Sequence, residues 1–202
     1  KVLTRGAQEA DVAGFAARRT ADAARGHLRG IGLCYYIESI LGDPSEGASV
    51  NFLEDGQVEI LVGTQSGGQG HETVYRQFLA TDLGIDPDLI DIVQGDSDLI
   101  AEGGGTGGSR SVTTQGSANR ATALKVIERF TPFVAETLEV DEVAFDDGTF
   151  RAAGSNVVMT VIEAAAAARE ARRDDLLRTR EKATLPGRSY PNGCHLCEVE
   201  ID

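Results

Sequence analysis

Apolar and polar residues alternate along several short stretches of this chain, and this pattern predicts β-strands. The clearest case is residues 57–62, where apolar residues recur at every second position after an Asp-Gly pair that favours a tight hairpin turn. A second, smaller hairpin is predicted around Asp146-Asp147-Gly148. The predicted strands are residues 30–40, 48–53, 57–62, 89–93 and 194–202, with the smaller hairpin at 142–152.

Between these strands, apolar residues recur every three or four positions and predict helices. In the helix that follows residue 70, Val74, Phe78 and Leu79 are among the residues on one face, and Gly84 is expected to end it. From Ser111 onward apolar residues occur on more than one face, which indicates a long, largely buried central helix. Ala-rich helices are predicted at residues 7–25 and 161–173. The remaining polar segment, residues 174–187, is expected to be mobile.

Together these elements predict an α+β fold, with a mixed β-sheet packed against a long central helix and shorter helices. A chain of 202 residues is long enough to bury a substantial core, and no break in composition separates two parts. We therefore predict a single domain spanning residues 1–202. Because the chain starts without Met and stops within a predicted strand, we expect it to be a fragment of a larger subunit.

Charge and cysteine content narrow the classes of partner. The formal net charge of −13 argues against binding to nucleic acid or to an anionic membrane surface, since both need a basic face. No apolar run reaches transmembrane length and no signal peptide is evident. Three cysteines, an odd number, favour a reducing compartment, so we predict the cytoplasm. Cys34 lies within a predicted strand and is expected to be a buried, inert thiol.

Two glycine-rich segments are the strongest candidates for a functional site. The first glycine loop, residues 63–70, reads GTQSGGQG, and the second glycine loop, residues 103–111, reads GGGTGGSRS. Each follows an extended run and precedes a helical run, which is a geometry where backbone N–H groups and a helix N-terminus hold an anion. The 24 glycines and the absence of Trp also indicate close approach of the backbone. We therefore predict that the two loops meet around one ligand.

The side chains of these loops suit a polar ligand. Gln69 stands between two glycines and is expected to reach the ligand directly. In the second loop, Thr106, Ser109 and Ser111 add hydroxyl groups and Arg110 adds a planar cation. The alternative is that both segments are only flexible turns.

Two other motifs are weaker candidates for a functional site. Gly103, Gly105 and Gly108 satisfy the G-x-G-x-x-G pattern, but no strand ending in an acidic residue follows, so a dinucleotide-binding unit is not predicted. Asp96 and Asp98 are interpreted as turn formers.

A metal site is not predicted either. Cys194 and Cys197 are three residues apart on a predicted strand and therefore point to opposite faces. His27 and His71 are isolated and are interpreted as surface or helix-cap residues. No nucleophile–base set is identifiable.

Four segments, GTQSGGQGHETVYRQFLATDLGI, GDSD, GTGGSRS and PNGCHLCEVEID, resemble the molybdopterin-binding region of molybdenum hydroxylases. This is the family of xanthine dehydrogenase, aldehyde oxidase and the large subunit of aerobic carbon monoxide dehydrogenase. The resemblance extends over nearly the whole chain. It implies a molybdenum–molybdopterin cofactor, in the mononucleotide or the cytosine dinucleotide form, whose metal is held by sulfur atoms of the cofactor itself. It also implies iron–sulfur and FAD groups on partner subunits or domains, and a small-molecule substrate.

The resemblance further implies which residues bind the cofactor. Gln69 would lie nearest the dithiolene, and the second loop would bind the pterin or its phosphate tail. The implied cofactor-binding residues are Gly68, Gln69, Gly70, Thr106, Gly107, Gly108, Ser109, Arg110 and Ser111. The family's catalytic glutamate lies in a GxGE segment that this sequence lacks, so no catalytic residue is assigned and the chain alone is expected to be inactive. A stand-alone anion-binding module and a structural assembly domain remain the alternative functions.

Overall fold

The structure is a computed structural model that describes residues 1–40 and 42–202. Its helices are α1 (Val2–Glu9), α2 (Phe15–Ala23), α3 (His71–Leu83), α4 (Gly116–Thr137) and α5 (Val161–Glu170). Its strands are β1 (Leu28–Ile37), β2 (Ser45–Phe52), β3 (Val58–Val62), β4 (Ile90–Val93), β5 (Val143–Asp146), β6 (Thr149–Ala152), β7 (Val158–Thr160), β8 (Arg178–Thr184) and β9 (Asn192–Ile201).

The chain forms two compact units. The smaller consists of Lys1–Ile40 with Ser189–Asp202, and the larger is Leu41–Arg188. That residues 1–202 form a single domain stays a prediction. In the described part of the chain, no helix is both long enough and apolar enough to cross a membrane.

The larger unit is built on a mixed sheet with the strand order β4-β3-β2-β8. β2 and β3 form the predicted antiparallel hairpin, and β8 pairs antiparallel with the other edge of β2. β3 and β4 are parallel and are joined through α3, so both strands end at the same edge of the sheet. That edge is where the first glycine loop begins. The mixed sheet predicted from the sequence is confirmed.

The core of the larger unit lies between this sheet and the helices. α4 packs on β2 and β8, and α3 packs on α4, so the prediction of a long, central helix is confirmed. Gly84 ends α3 in a left-handed conformation, as predicted. The small hairpin β5–β6 is also confirmed; it pairs with β7 in a separate three-stranded sheet. Residues that are fully buried in this core include Val50, Val58, Ile60, Tyr75, Leu79, Val126 and Phe130.

Two predictions of secondary structure are wrong. The segment predicted as mobile contains β8, which hydrogen-bonds to β2 along its length. Its sequence, RTREKAT, is polar because it forms an edge strand whose alternate side chains are exposed. The helix predicted at residues 7–25 is two helices, because Asp11 adopts a left-handed conformation (φ 45°) and its carboxylate accepts a hydrogen bond from Gly14 N at 3.1 Å.

The smaller unit contains a two-stranded antiparallel ribbon, in which β1 and β9 pair from Leu28–Ile201 to Ile37–Asn192. β9 confirms the predicted final strand. The prediction that Cys34 is buried is wrong, since its thiol is exposed. Cys34 lies on the opposite face of β1 from Arg29, whose side chain bonds to Asp22 of α2, so the helices cover only the other face of the ribbon.

Candidate functional site

The two glycine loops meet at the edge of the mixed sheet and enclose a cleft of about 580 Å³. Gln69 of the first loop and Thr106 of the second loop both line it, together with the turn after β4. The predicted meeting of the two loops is therefore confirmed. The lining residues are Val62, Gly63, Gln65, Ser66, Gly67, Gln69, Gly95, Asp96, Ser97, Ile100, Gly103, Gly105 and Thr106.

Direct hydrogen bonds join the loops. The Thr106 hydroxyl accepts from the Gln65 backbone N–H at 2.9 Å and donates to the Gln65 carbonyl at 2.6 Å. Gly105 N donates to the Gly63 carbonyl at 3.1 Å. Thr106 thus holds the loops together, and its hydroxyl group is already engaged within the protein.

Gly63 and Gly103 allow this close approach of the two backbones. A Cβ added to Gly63 would lie 2.6 Å from the Gly103 Cα, and one added to Gly103 would lie 2.6 Å from the Gly63 carbonyl oxygen. Such distances are far below any tolerated contact. Both glycines are required by packing between the loops.

The first glycine loop leaves open space around Gln69, whose Oε1 accepts a hydrogen bond from the Gly67 N–H at 2.5 Å. Gly68 and Gly70 have φ of 107° and 78°, a region that favours glycine. Apart from the glycine itself and its two neighbours in the chain, no described residue has an atom within 4 Å of the position of a Cβ on either residue. Gly70 is the N-cap of the 13-residue helix α3 and has no side chain with which to cap it. The N-cap residue therefore offers no side-chain partner to the first N–H groups of α3, next to Gln69.

A glutamine on the neighbouring strand end orients this loop. Gln94 accepts from Ser66 N through Oε1 at 2.8 Å and donates through Nε2 to Glu72 at 2.5 Å. The pKa of Glu72 is lowered chiefly by a hydrogen bond from its own backbone N–H and also by Gln94. Glu72 is therefore ionised at neutral pH, in the first turn of α3, where the helix dipole favours a negative charge.

Apart from Arg110, the predicted residues of the second loop fall into three groups. Thr106 lines the cleft, whereas Gly107, Gly108 and Ser109 are exposed further along the loop. Ser111 begins a π-helical turn that leads into α4, and its carbonyl accepts from the Tyr75 hydroxyl at 3.3 Å.

Arg110 differs from the rest of the loop because its side chain is buried. Its guanidinium donates to Glu46 Oε2 at 2.8 Å and to the carbonyls of Ser45 and Gly105 at 2.7 and 2.8 Å. It also donates to the Asp43 carbonyl at 3.1 Å. The guanidinium thus faces the protein interior.

His71 was predicted to be a surface or helix-cap residue; it is the first residue of α3, but it is buried rather than at the surface. Its ring packs on Tyr75, one turn further along, with a centroid distance of 5.1 Å. Burial lowers the pKa of His71. Its Nδ1 atom has no hydrogen-bond partner among the described residues.

Buried polar residues beneath the loops had not been predicted. Gln115 accepts from Thr64 N at 3.2 Å and donates to the Gly47 carbonyl and to Asn119, each at 3.0 Å. The Thr64 hydroxyl also bonds to the Tyr75 hydroxyl at 2.8 Å. A signal for Gln115 and Asn119 was present in the sequence, since both are polar positions in a helix predicted to be buried.

The cleft offers hydrogen-bond donors rather than positive charge. Among its described lining residues there is no Lys, Arg or His, and Asp96 is the one charged residue. The Asp96 carboxylate accepts from the backbone N–H groups of Asp98 and Leu99 at 2.9 and 3.2 Å, which confirms its role as a turn former. The described residues contain no cluster of three or more His, Cys, Asp or Glu able to hold a metal ion. Polar side chains among its lining residues, such as Gln65, Ser66 and Gln69, suit the cleft to a polar ligand.

Comparison with known proteins gives consistent matches. The family model for the molybdopterin cofactor-binding domain matches residues 5–202. The chain is 33% identical over 192 residues to the carbon monoxide dehydrogenase large chain of Afipia carboxidovorans, covering 87% of this chain and 24% of the relative. It is also 33% identical to the gamma subunit of the 6-hydroxypseudooxynicotine dehydrogenase complex of Paenarthrobacter nicotinovorans, covering 89% of this chain and 23% of the relative.

A solved structure shares the fold. The reconstituted carbon monoxide dehydrogenase from Oligotropha carboxidovorans superposes with a TM-score of 0.83 at 30% identity, covering all of this chain and 28% of that chain. The chain thus spans about a quarter of the length of the curated relatives it matches.

Proposed function

This chain belongs to the molybdopterin cofactor-binding domain family, and we propose that its cleft binds a molybdenum–molybdopterin cofactor between the two glycine loops. The observation that carries the proposal is the shared cleft of about 580 Å³, in which Gln69 and Thr106 from opposite loops line one space. The two relatives described above are both named as parts of dehydrogenases.

The residues present fit such a cofactor. Gly68 and Gly70 leave the space of their missing side chains open, so the backbone can approach a flat pterin ring. The N–H groups in the first turn of α3, apart from that of Glu72, which its own carboxylate accepts, are donors for polar or anionic groups. The cofactor supplies a redox-active metal held by its own sulfur atoms, so the protein has to provide recognition by hydrogen bonds.

We assign the following roles to the loop residues. Because its Oε1 already accepts from the Gly67 N–H, Gln69 donates through Nε2 next to the dithiolene, flanked by the backbone of Gly68 and Gly70. The exposed backbone of Gly107, Gly108 and Ser109, with the Ser109 hydroxyl, binds the phosphate tail. Of the remaining predicted residues, Thr106 and Ser111 orient the loop, and Arg110 supports it from inside through its buried guanidinium.

The complete protein is proposed to hydroxylate a small molecule, either an aldehyde, an N-heterocycle or carbon monoxide, with oxygen derived from water. Its electrons pass to iron–sulfur and FAD groups on partner subunits or domains, and the enzyme works in the cytoplasm. Of the two relatives described above, one is named a large chain and the other a subunit of a complex. We propose the cytosine dinucleotide form of the cofactor, for which release of the cytosine nucleotide on acid hydrolysis is the direct assay.

Replacing Gln69 tests the proposed site. In the complete protein, Gln69→Ala should lower molybdenum and pterin content about tenfold or more, since a hydrogen bond to a charged group of the ligand is worth roughly 1.5–3 kcal/mol. The matched control is Gln77→Ala, an exposed glutamine of α3 outside the cleft. Metal analysis and pterin fluorescence give the result. Unchanged cofactor content in Gln69→Ala would remove Gln69 from the site, whereas a wild-type protein that binds phosphate but no pterin would favour the stand-alone anion-binding module.

A further inference from the structure

A buried ion pair lies behind the second glycine loop. Glu46, near the start of β2, and Arg110 each have side chains only 2% exposed, and their charged groups are 2.8 Å apart. Burying two charges is costly unless they pair and their remaining hydrogen-bonding atoms are also satisfied. Such a pair therefore needs a structural explanation.

The pair ties the start of β2 to the chain that lines the cleft. Glu46 Oε2 accepts from Gly104 N at 2.9 Å as well as from Arg110, and Oε1 accepts from Gly47 N at 3.2 Å. Arg110 in turn donates to the carbonyl of Gly105. We call residues 103–105 the cleft wall. The ion pair behind it binds one backbone N–H and one backbone carbonyl of this wall.

The pair also occupies the space that side chains in both loops would need. A Cβ on Gly63, in the first loop, would lie 2.3 Å from Glu46 Oε1. A Cβ on Gly104 would lie 2.7 Å from both terminal nitrogens of Arg110. The carboxylate thus touches the first loop while it binds the second, and Arg110 neutralises a negative charge beneath a surface that is to accept an anion.

We propose that Glu46 and Arg110 are positioning residues, which hold the cleft wall against Gly63 and so set the width of the cleft. The link to cofactor binding rests on the proposed function, whereas the link to the order of the cleft wall does not. The guanidinium donates four hydrogen bonds, one to Glu46 and one each to the carbonyls of Asp43, Ser45 and Gly105. Its role is therefore to shape the loop, in place of direct binding to phosphate.

The test is Glu46→Gln in the complete protein, with two readouts. Hydrogen exchange of the peptide covering residues 101–108 should accelerate about tenfold at the Gly104 amide, because its charged acceptor is lost. The cofactor, measured as molybdenum and pterin retained on dilution, should dissociate about tenfold faster. The control is Glu128→Gln, which breaks the exposed Lys125–Glu128 pair on α4 and should change neither readout.

Arg110→Lys is a second variant in case Glu46→Gln does not fold. It keeps the charge but cannot bridge the same carbonyls, so both readouts should move in the same direction. A lower melting temperature with wild-type exchange and wild-type cofactor retention would reduce the pair to a purely structural one and overturn the inference. The remaining outcome is faster hydrogen exchange at residues 101–108 in the variants together with no pterin in the wild-type protein. It would refute the proposed function and still support the role of the pair in positioning the cleft wall.

Discussion

At the scale of single residues, the floor beneath the cleft is a set of polar groups that bond to one another. Tyr75 connects the first loop, through the Thr64 hydroxyl, with the start of the turn before α4, through the Ser111 carbonyl. Burial raises the pKa of Tyr75, so its hydroxyl stays protonated and remains a donor at neutral pH. One phenol thus links both sides of the site.

Tyr75→Phe should therefore destabilise the protein by about 1–2 kcal/mol, because it leaves buried partners without their hydrogen bond. The ring itself is retained, so no cavity forms. The matched control is Tyr190→Phe, since Tyr190 is 58% exposed and should give a change close to zero. Melting curves of both variants decide the matter; equal melting temperatures for the two would show that the Tyr75 hydroxyl contributes nothing.

At the scale of elements, the parallel pairing of β3 with β4 creates the site. The register from Val58–Ile90 to Leu61–Val93 brings the ends of both strands to one edge. The first glycine loop leaves the end of β3, and the turn containing Asp96 leaves the end of β4. Ligands of sheets with parallel strands are commonly bound outside these carboxyl ends, which agrees with the cleft found here.

The helix connecting these strands ends at a glycine whose replacement should be costly. Gly84 has a φ of 66°, and a Cβ there would lie 2.2 Å from the Cα of Gly148, in the turn of the small hairpin. Gly56 has a similar φ of 87° but no described atom within 4 Å of its Cβ position. Gly56→Ala should therefore cost about 1–2 kcal/mol from backbone strain alone.

Gly84→Ala should lower the free energy of unfolding by about 1–3 kcal/mol more than Gly56→Ala, because the β5–β6 hairpin must also move away from the new methyl group. Comparing the free energies of unfolding of the two variants separates the effect of the close contact with Gly148 from the effect of backbone strain. If both variants lost the same stability, the contact between the two turns would not exist in solution.

Sequence reasoning located most elements but not all of them. The hairpin β2–β3, α3 with its terminal Gly84 and the long α4 were predicted because apolar periodicity and turn residues identify such elements locally. β8 was missed, since an edge strand with few apolar residues is recognised only by the partner that supplies its backbone hydrogen bonds. The break at Asp11 was missed because Ala-rich periodicity continues on both sides of it.

At the scale of the whole molecule, the smaller unit depends strongly on ion pairs. Glu198 of β9 accepts from Arg18 at 2.8 Å and from Arg29 at 2.7 Å. These hydrogen bonds, first from Arg18 and then from Arg29, lower the pKa of Glu198 from 4.5 to about 2. Arg29 also bonds to the buried carboxylate of Asp22. The ribbon and α2 are thus joined by a network of ion pairs.

This network should make stability depend on pH in the acid range. A carboxylate whose pKa is lowered by folding stabilises the folded state above its unfolded pKa, and that stabilisation is lost as the pH falls through the folded value. The contribution of Glu198 should be complete above pH 4.5 and disappear towards pH 2. Glu198→Gln should consequently melt below wild type at about pH 6, and the difference should shrink on acidification.

The control for this prediction is Glu9→Gln, which breaks an exposed pair with Arg5 in the same unit. It should leave the melting temperature nearly unchanged at every pH. A gap between wild type and Glu198→Gln that stayed constant from neutral to acid pH would contradict the lowered pKa.

The sequence alone determined the order of most helices and strands, the two glycine loops and the family, because these depend on local backbone demands and on contiguous motifs such as GQGHET and TGGSRS. Tertiary structure decided what each side chain in the loops faces. Arg110 was predicted to be a planar cation for the ligand, yet its side chain is buried against Glu46, 64 residues away along the chain. Likewise Thr106 was predicted to offer its hydroxyl group to the ligand, but that group bonds to Gln65. Pairings between distant residues arise only when the sheet brings the loops together, since no local pattern encodes a partner so far along the chain.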